Sequence, residues 1–210
     1  MQYKTIIFDF DGVLSKDYFY ANLKEIHPKV HGFIQEKVFG PESDMVDKWM
    51  RGQLTSNQVN QFISESIDIN FEELTKLFIE SVKAMCLEGG LISLAKDLKE
   101  KSYKIALVTN NMDVFNKITI GHHQLDKVFS VIVNSFDHGA MKHEENGKLF
   151  DIAMAQLGSS DYNNALLIDD SAKARNMFEQ KGGSTYAYEN CADFIKWANK
   201  NLSCKKKDLK

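Results

Sequence analysis

The stretch Tyr3-Lys4-Thr5-Ile6-Ile7-Phe8-Asp9-Phe10-Asp11-Gly12-Val13-Leu14 decides how this chain is read. Its short apolar run reads as a buried strand, and the run ends in two carboxylates spaced i, i+2 with a glycine directly after. Residues two apart on an extended backbone point the same way, so Asp9 and Asp11 converge if the strand persists. Two like charges at the dry end of a strand are unfavourable unless a cation or a shared proton offsets them. Gly12 permits a sharp turn and brings backbone amides close to a ligand. A solvated Asp-rich turn after an edge strand accounts for the composition here but not for the rest of the chain. The segment reads as a site.

Downstream, residues 17 to 85 carry helical patterns and no convincing strand. Met45, Val46, Trp49 and Met50 form one stripe; Val59, Phe62, Ile63 and Ile67 form another behind an N-cap at Thr55 or Ser56. Asn70 can cap a third helix, with Glu72 and Glu73 in its first turn and Leu74, Leu77, Phe78, Val82 and Met85 on its buried face. Pro28 and Pro41, the two prolines of the chain, separate the first helices. After Gly89-Gly90 the pattern changes to alternating helix and strand. Strands are predicted at Lys104–Thr109, Phe129–Asn134, Ala165–Asp169 and Ser184–Tyr188, with a last helix around Ala192 to Leu202. Apolar strands separated by amphipathic helices imply an α/β fold with a parallel sheet covered on both faces. The predicted organisation is a core of residues 1–15 and 88–210, interrupted by an all-helical insertion over 16–87.

Bulk properties narrow the function. Of 210 residues, 43% are hydrophobic and 26% charged, ordinary for a globular protein. A formal net charge of −3 supplies no field that recruits nucleic acid. The tail Lys205-Lys206-Lys207 reads as a fraying end. Three scattered cysteines, Cys86, Cys191 and Cys204, form no disulfide framework and no Cys-x-x-Cys pair. No secretion signal and no membrane-length apolar run is visible, so a cytoplasmic protein with no membrane partner is expected.

Ligands of open parallel sheets bind beyond the carboxyl ends of the strands. The polar groups that interrupt the apolar strands here fall at that edge. The first strand delivers Asp9 and Asp11, the second Thr109-Asn110-Asn111, the fourth Asp169-Asp170, and a loop bearing Gly139-Ala140-Met141-Lys142 lies between the last two. A set of oxygen ligands with open positions suits Mg²⁺.

These four separated motifs, in this order, resemble those of the haloacid dehalogenase-like hydrolase superfamily, in the branch with a helical cap inserted after the first strand of a Rossmann-like core. The segment Trp49-Met50-Arg51-Gly52-Gln53-Leu54-Thr55 also resembles phosphatases of that group. The resemblance implies a Mg²⁺-dependent phosphatase acting on a small phosphorylated metabolite, such as a sugar phosphate. It implies Asp9 as nucleophile, Asp11 as general acid and base, and Lys142 as the charge beside them. Thr109 and Asn110 would bind the phosphoryl group. Metal contacts would come from the Asp9 carboxylate, the Asp11 backbone carbonyl and Asp170, with Asp169 supporting from behind. Alternatives are a phosphomutase on the same scaffold, a dehalogenase, which Asp11 disfavours, and a non-catalytic binding protein. The partner is expected to be a small phosphate ester, and the protein a monomer or homodimer.

Some positions depart from the family pattern. No proline follows Lys142, and His143-Glu144-Glu145-Asn146-Gly147 lengthens the interval to the next helix, which leaves Lys148 as a fallback for the site lysine. Ala174 stands where relatives often carry Asn or Asp. His122, His123, His138 and His143 read as surface histidines rather than metal ligands. Cys86 reads as a small buried thiol. Tyr18, Phe19, Tyr20, Asn22, Trp49 and Arg51 are candidates for the substrate-facing wall, with packing within the insertion the simpler role for each. Links near Ser15-Lys16 and Leu87 to Gly90 would let the insertion open and close.

Overall fold

The computed structural model describes residues 3–202. Its centre is a five-stranded parallel sheet built from β1 (Thr5–Phe8), β2 (Lys104–Thr109), β3 (Val131–Asn134), β4 (Ala165–Asp169) and β5 (Ser184–Ala187), in the order β3-β2-β1-β4-β5. β1 is central, with all four residues buried, because a strand paired on both edges and covered on both faces has no side left for water. Alternation along it feeds two cores. Ile6 and Phe8 join Leu107, Leu166 and Ile168 on one face; Ile7 joins Ala106, Val108 and Leu167 on the other.

Between β1 and β2 run five helices and then the first core helix: α1 (Leu23–Ile26), α2 (Pro28–Lys37), α3 (Met45–Met50), α4 (Ser56–Ile67), α5 (Phe71–Lys83) and α6 (Gly89–Glu100). Local chemistry fixes their starts. Pro28 opens α2, where its missing N–H would have been unpaired anyway. Thr55 and Gln58 form a reciprocal capping box on α4, and Asn70 Oδ1 accepts from Glu73 N at 3.0 Å to open α5. Leu74, Phe78 and Val82 follow at helical spacing and are buried. The two crossings between core and insertion lie side by side: Glu88 N donates to Leu14 O at 2.8 Å and Cys86 N to Asp17 Oδ2 at 2.6 Å.

The remaining helices cover the sheet. A π-helical turn at Phe115–Thr119 runs into α7 (Ile120–His122), followed by α8 (Leu125–Val128) before β3; α9 (Ser135–His138) and α10 (Lys148–Gln156) precede β4; α11 (Ala172–Gln180) and α12 (Cys191–Asn201) follow it. Among the described residues no helix is long and apolar enough to cross a membrane.

Three expectations change in detail. β3 begins at Val131, because Phe129 N still closes α8 by donating to Leu125 O, and the Phe129 ring packs on Phe8 with centroids 5.8 Å apart. β5 ends at Ala187. Cys86 is exposed rather than buried, since it sits at the crossing and not under it. Cys204 and Lys205-Lys206-Lys207 lie outside the described residues.

Candidate active site

The carboxyl ends of β1, β2 and β4 meet at one edge, because the register aligns Phe8 with both Leu107 and Ile168. Asp9, one step further on, donates its N–H to Ile168 O at 3.0 Å and is therefore drawn beside Asp169. The two acids share one cation. Lys142 Nζ lies 2.6 Å from Asp9 Oδ2 and 2.7 Å from Asp169 Oδ2, with the lysine 2% exposed. Asp9 Oδ1 accepts from Phe10 N at 2.8 Å, and Asp169 Oδ1 from Ser171 N at 2.8 Å where α11 begins. Lys148 does not enter the cluster; its Nζ pairs with Glu145 at 2.8 Å.

Charge here is unbalanced. Burial works against the Lys142 ammonium, but Asp9 and Asp169 hold it protonated well above its ordinary range. Burial pushes the Asp9 carboxyl up against the pull of Lys142, with Asp169 and Asp11 adding to the push. Asp11 opens on a cavity, yet enough protein encloses it to push its carboxyl up to about 7; Lys142 opposes the shift and Asp170 adds to it. Burial is the first cause of both carboxyl shifts, and more negative charge than a single lysine balances adds to them and holds the lysine protonated.

Among the described residues, Asp9, Asp169 and Asp170 each offer an oxygen within 4.8 Å of the others. The set is all oxygen and anionic, the donor chemistry of a hard divalent cation such as Mg²⁺. Both oxygens of Asp169 and both of Asp9 already have donors, so the exposed Asp170 is the freest of the three. Gly12 makes the room: with φ at +79°, any Cβ there would collide with the Asp170 carboxylate. The Asp11 carboxylate lies outside this group.

Two polar residues stand at the carboxyl end of β2. The Thr109 hydroxyl is buried and has no hydrogen-bond partner among the described residues, an unusual position for a polar atom without a ligand. Asn110 Oδ1 accepts from Lys142 N at 2.8 Å, which orients the side chain and leaves its amide N–H groups available. Asp11, Gly12, Asn110 and Asp170 form the floor of a half-open cavity of about 620 Å³ that residues of the insertion also line.

Several supporting residues escaped the sequence reading. Asn111 Nδ2 donates to Asp11 Oδ2 at 2.9 Å, while its own N–H is held by Asn134 Oδ1 at 3.1 Å and Ser135 Oγ at 3.0 Å. Arg175 Nη1 donates to the carbonyls of Asp169 at 2.9 Å and Asp170 at 2.7 Å, bracing the turn that carries both acids. Asp113 is buried at the joint with the insertion, where it accepts from Trp49 Nε1 at 2.8 Å, Ser56 Oγ at 2.5 Å and Lys117 Nζ at 2.7 Å. Burial works to raise its carboxyl, but Lys117, Ser56 and Trp49 hold it below the ordinary carboxylate value. Arg51 grips Glu144 through two nitrogens, at 2.5 and 2.6 Å, which holds the Glu144 carboxyl at about 2. A trace of Asn111 was visible beside Thr109-Asn110; the partners of Asp113 and Glu144 are too distant in sequence to be read.

Of the wall candidates, Tyr18 and Phe19 line the cavity. Tyr20 and Trp49 are buried against Phe78, Asn22 Nδ2 donates to Leu77 O, and Arg51 is committed to Glu144 and Asp47. Among the described residues the histidines form no metal cluster.

A family model described as haloacid dehalogenase-like hydrolase matches residues 3–174. Over 131 residues the chain is 28% identical to pyrimidine 5′-nucleotidase YjjG of Escherichia coli strain K12, an alignment covering 60% of this chain and 57% of that protein. A HAD family enzyme of Bacteroides thetaiotaomicron superposes with a TM-score of 0.73 at 18% identity, over 93% of this chain and 99% of that one. A wild-type crystal structure of the same enzyme with magnesium and inorganic phosphate gives a TM-score of 0.67, also at 18% identity, over 92% of this chain and 99% of that one. A predicted HAD-like family hydrolase of Porphyromonas gingivalis gives a TM-score of 0.75 at 17% identity, over 98% of this chain and 100% of that one.

Proposed function

Because the chain belongs to the haloacid dehalogenase-like hydrolase family, we propose that it is a Mg²⁺-dependent phosphatase that hydrolyses a small phosphorylated metabolite through an aspartyl-phosphate on Asp9. The observation that carries this reading is the division of labour between two neighbouring carboxyls. Burial pushes both carboxyls up, but Asp9 is tied to Lys142 at 2.6 Å, which favours its ionised form, while Asp11, pushed up to about 7, is bonded by the Asn111 amide and holds a proton near neutrality. One is placed to attack and the other to donate.

An Asp9 carboxylate oxygen attacks phosphorus as the bond from phosphorus to the ester oxygen breaks. The electron pair leaves with that oxygen, and Asp11 gives it a proton, releasing the alcohol. Asp11, now ionised, takes a proton from water; the water oxygen attacks the same phosphorus and frees Asp9. Asn111, donating to Asp11 Oδ2, keeps the acid aimed through both halves. The Thr109 hydroxyl and the Asn110 amide donate to the non-bridging phosphoryl oxygens. Asp9 and Asp170 would hold Mg²⁺, which supplies positive charge to those oxygens and offsets the surplus of carboxylates. The structure of the Bacteroides enzyme with magnesium and phosphate, and the nucleotidase relative, support the reaction class. The cavity lined in part by the insertion favours a small molecule over a folded phosphoprotein or nucleic acid.

Release of inorganic phosphate from a phosphate ester tests the proposal. Asp9→Asn and Asp11→Asn are each expected to lower kcat by on the order of a thousandfold or more with folding intact. Chelation should remove activity and Mg²⁺ restore it. Turnover by Asp9→Asn equal to wild type would reject the nucleophile, and formation of an isomerised sugar phosphate in place of free phosphate would mark a mutase.

A further inference from the structure

Above its carboxylate floor the cavity changes character. Tyr18, Phe19, Phe39, Met50, Met85 and Met112 line it with rings and thioethers contributed by both the insertion and the core. Such surfaces favour flat apolar groups, and with Ser15, Lys16, Asp17, Gln35 and Glu189 as the polar residues of the wall a dense array of hydroxyls regains only part of the water it loses on entry. The wall is also poor in positive charge. Its one cation, Lys16, donates to Glu189 O at 3.3 Å, and Asp17 and Glu189 add negative charge. A second anionic group on the substrate therefore meets apolar side chains and like charge.

One polar residue on this wall stands apart. Tyr188, just beyond β5, lines the cavity with 4% exposure, and its ring packs on Phe194 with centroids 6.2 Å apart. Its hydroxyl is buried and has no hydrogen-bond partner among the described residues. Burial pushes the phenol up, so the hydroxyl keeps its proton to donate. A buried donor without an acceptor is unfavourable by itself and becomes favourable when a ligand supplies one.

Resting on the phosphatase reading, we propose that this site selects phosphate monoesters whose leaving alcohol carries a flat, uncharged ring bearing a hydrogen-bond acceptor. The ring lies between the aromatic and methionine walls, and its acceptor takes the hydrogen bond from Tyr188 Oη. Tyr188 is then a residue of the core, outside the helical insertion, that determines specificity. Compact polyhydroxy sugars and substrates with a second anion are disfavoured.

The test measures phosphate release from uridine monophosphate, glucose 6-phosphate, phosphoglycolate and acetyl phosphate. The expected kcat/KM for uridine monophosphate exceeds that for glucose 6-phosphate and phosphoglycolate by about tenfold or more. In Tyr188→Phe, the ratio of kcat/KM for uridine monophosphate to that for acetyl phosphate falls about five- to tenfold, the worth of one hydrogen bond to an uncharged partner. Without substrate, the thermal midpoint of Tyr188→Phe equals or exceeds that of wild type, because the deleted hydroxyl bonds nothing among the described residues. Preference for glucose 6-phosphate or phosphoglycolate, an unchanged ratio, or a lowered midpoint would each overturn the inference. Turnover of acetyl phosphate with no discrimination among the esters leaves the phosphatase reading standing and this inference rejected. No release from any of the four rejects both.

Discussion

Asp11 and Asp113 are two carboxylates close in space to the same loop after β2, yet their surroundings treat them in opposite ways. Asp11 receives one side-chain donor, from Asn111, and sits among Asp9, Asp169 and Asp170; its carboxyl is pushed up to about 7. Asp113 receives donors from Trp49, Ser56 and Lys117 and is held below the ordinary value despite burial. The first is under-supplied with positive partners, the second fully supplied. A carboxylate that its own protein satisfies stabilises the fold, whereas one left in surplus is held ready for something that arrives later. Counting donors per acid separates joinery from chemistry more reliably than burial does, because Asp9 and Asp113 are both buried.

The largest effect should come from Lys142→Met. Removing the one ammonium between Asp9 and Asp169 leaves two buried acids facing each other, and unfolding free energy should drop by about 3 kcal/mol in denaturant titration without divalent cations. Added Mg²⁺ should recover part of the loss; if it recovers none, the surplus carboxylates do not form a cation site. Asp113→Ala comes next. It strands the Trp49 indole N–H and the Ser56 N–H, and a loss of about 2 kcal/mol is expected, which Mg²⁺ should not repair. Repair by Mg²⁺ would erase the distinction between the two acids.

The smallest effect is a dependence on pH. A carboxyl raised from an unfolded value of about 3.9 to about 7 binds its proton more tightly in the folded state, so its stabilisation is complete below pH ~4 and is lost as pH rises through ~7. The metal-free protein should therefore melt at a lower temperature at pH 8 than at pH 5, and Asp11→Asn should flatten that slope. Asp113, being lowered, contributes in the opposite sense: its stabilisation is present above the unfolded value and is lost on acidification. An Asp11→Asn protein with an unchanged slope would show that the surplus charge resides elsewhere.

The sheet and the floor of the site were legible because both depend on short-range pattern. Apolar runs ending in Asp9, Thr109 and Asp169 mark strands and their carboxyl ends at once, and a parallel sheet puts such ends at one edge. Thr55 and Asn70 announce α4 and α5 by capping chemistry alone. What stayed hidden has partners far apart in the chain. Nothing near Asp113 in sequence announces Trp49, 64 residues earlier, and nothing near Glu144 announces Arg51, 93 residues earlier. The loop between Gly139 and Gly147 is similarly opaque, since Glu145 takes up left-handed backbone that its side chain does not advertise, although Asn146-Gly147 marks a turn. The crossing beside Cys86 is legible from the break at Gly89-Gly90, but its exposure is not, because a thiol by itself reads as buried.

Position 12 has a consequence for anyone randomising this gene. Gly12 contributes no functional group, and yet its φ of +79° and the Asp170 carboxylate packed against its missing methyl close the position to all nineteen alternatives at once. A survey by alanine replacement would skip glycines as uninformative, whereas a saturation library scored for activity should return an empty column here. The blank would mark the absence of a single carbon as part of the machinery.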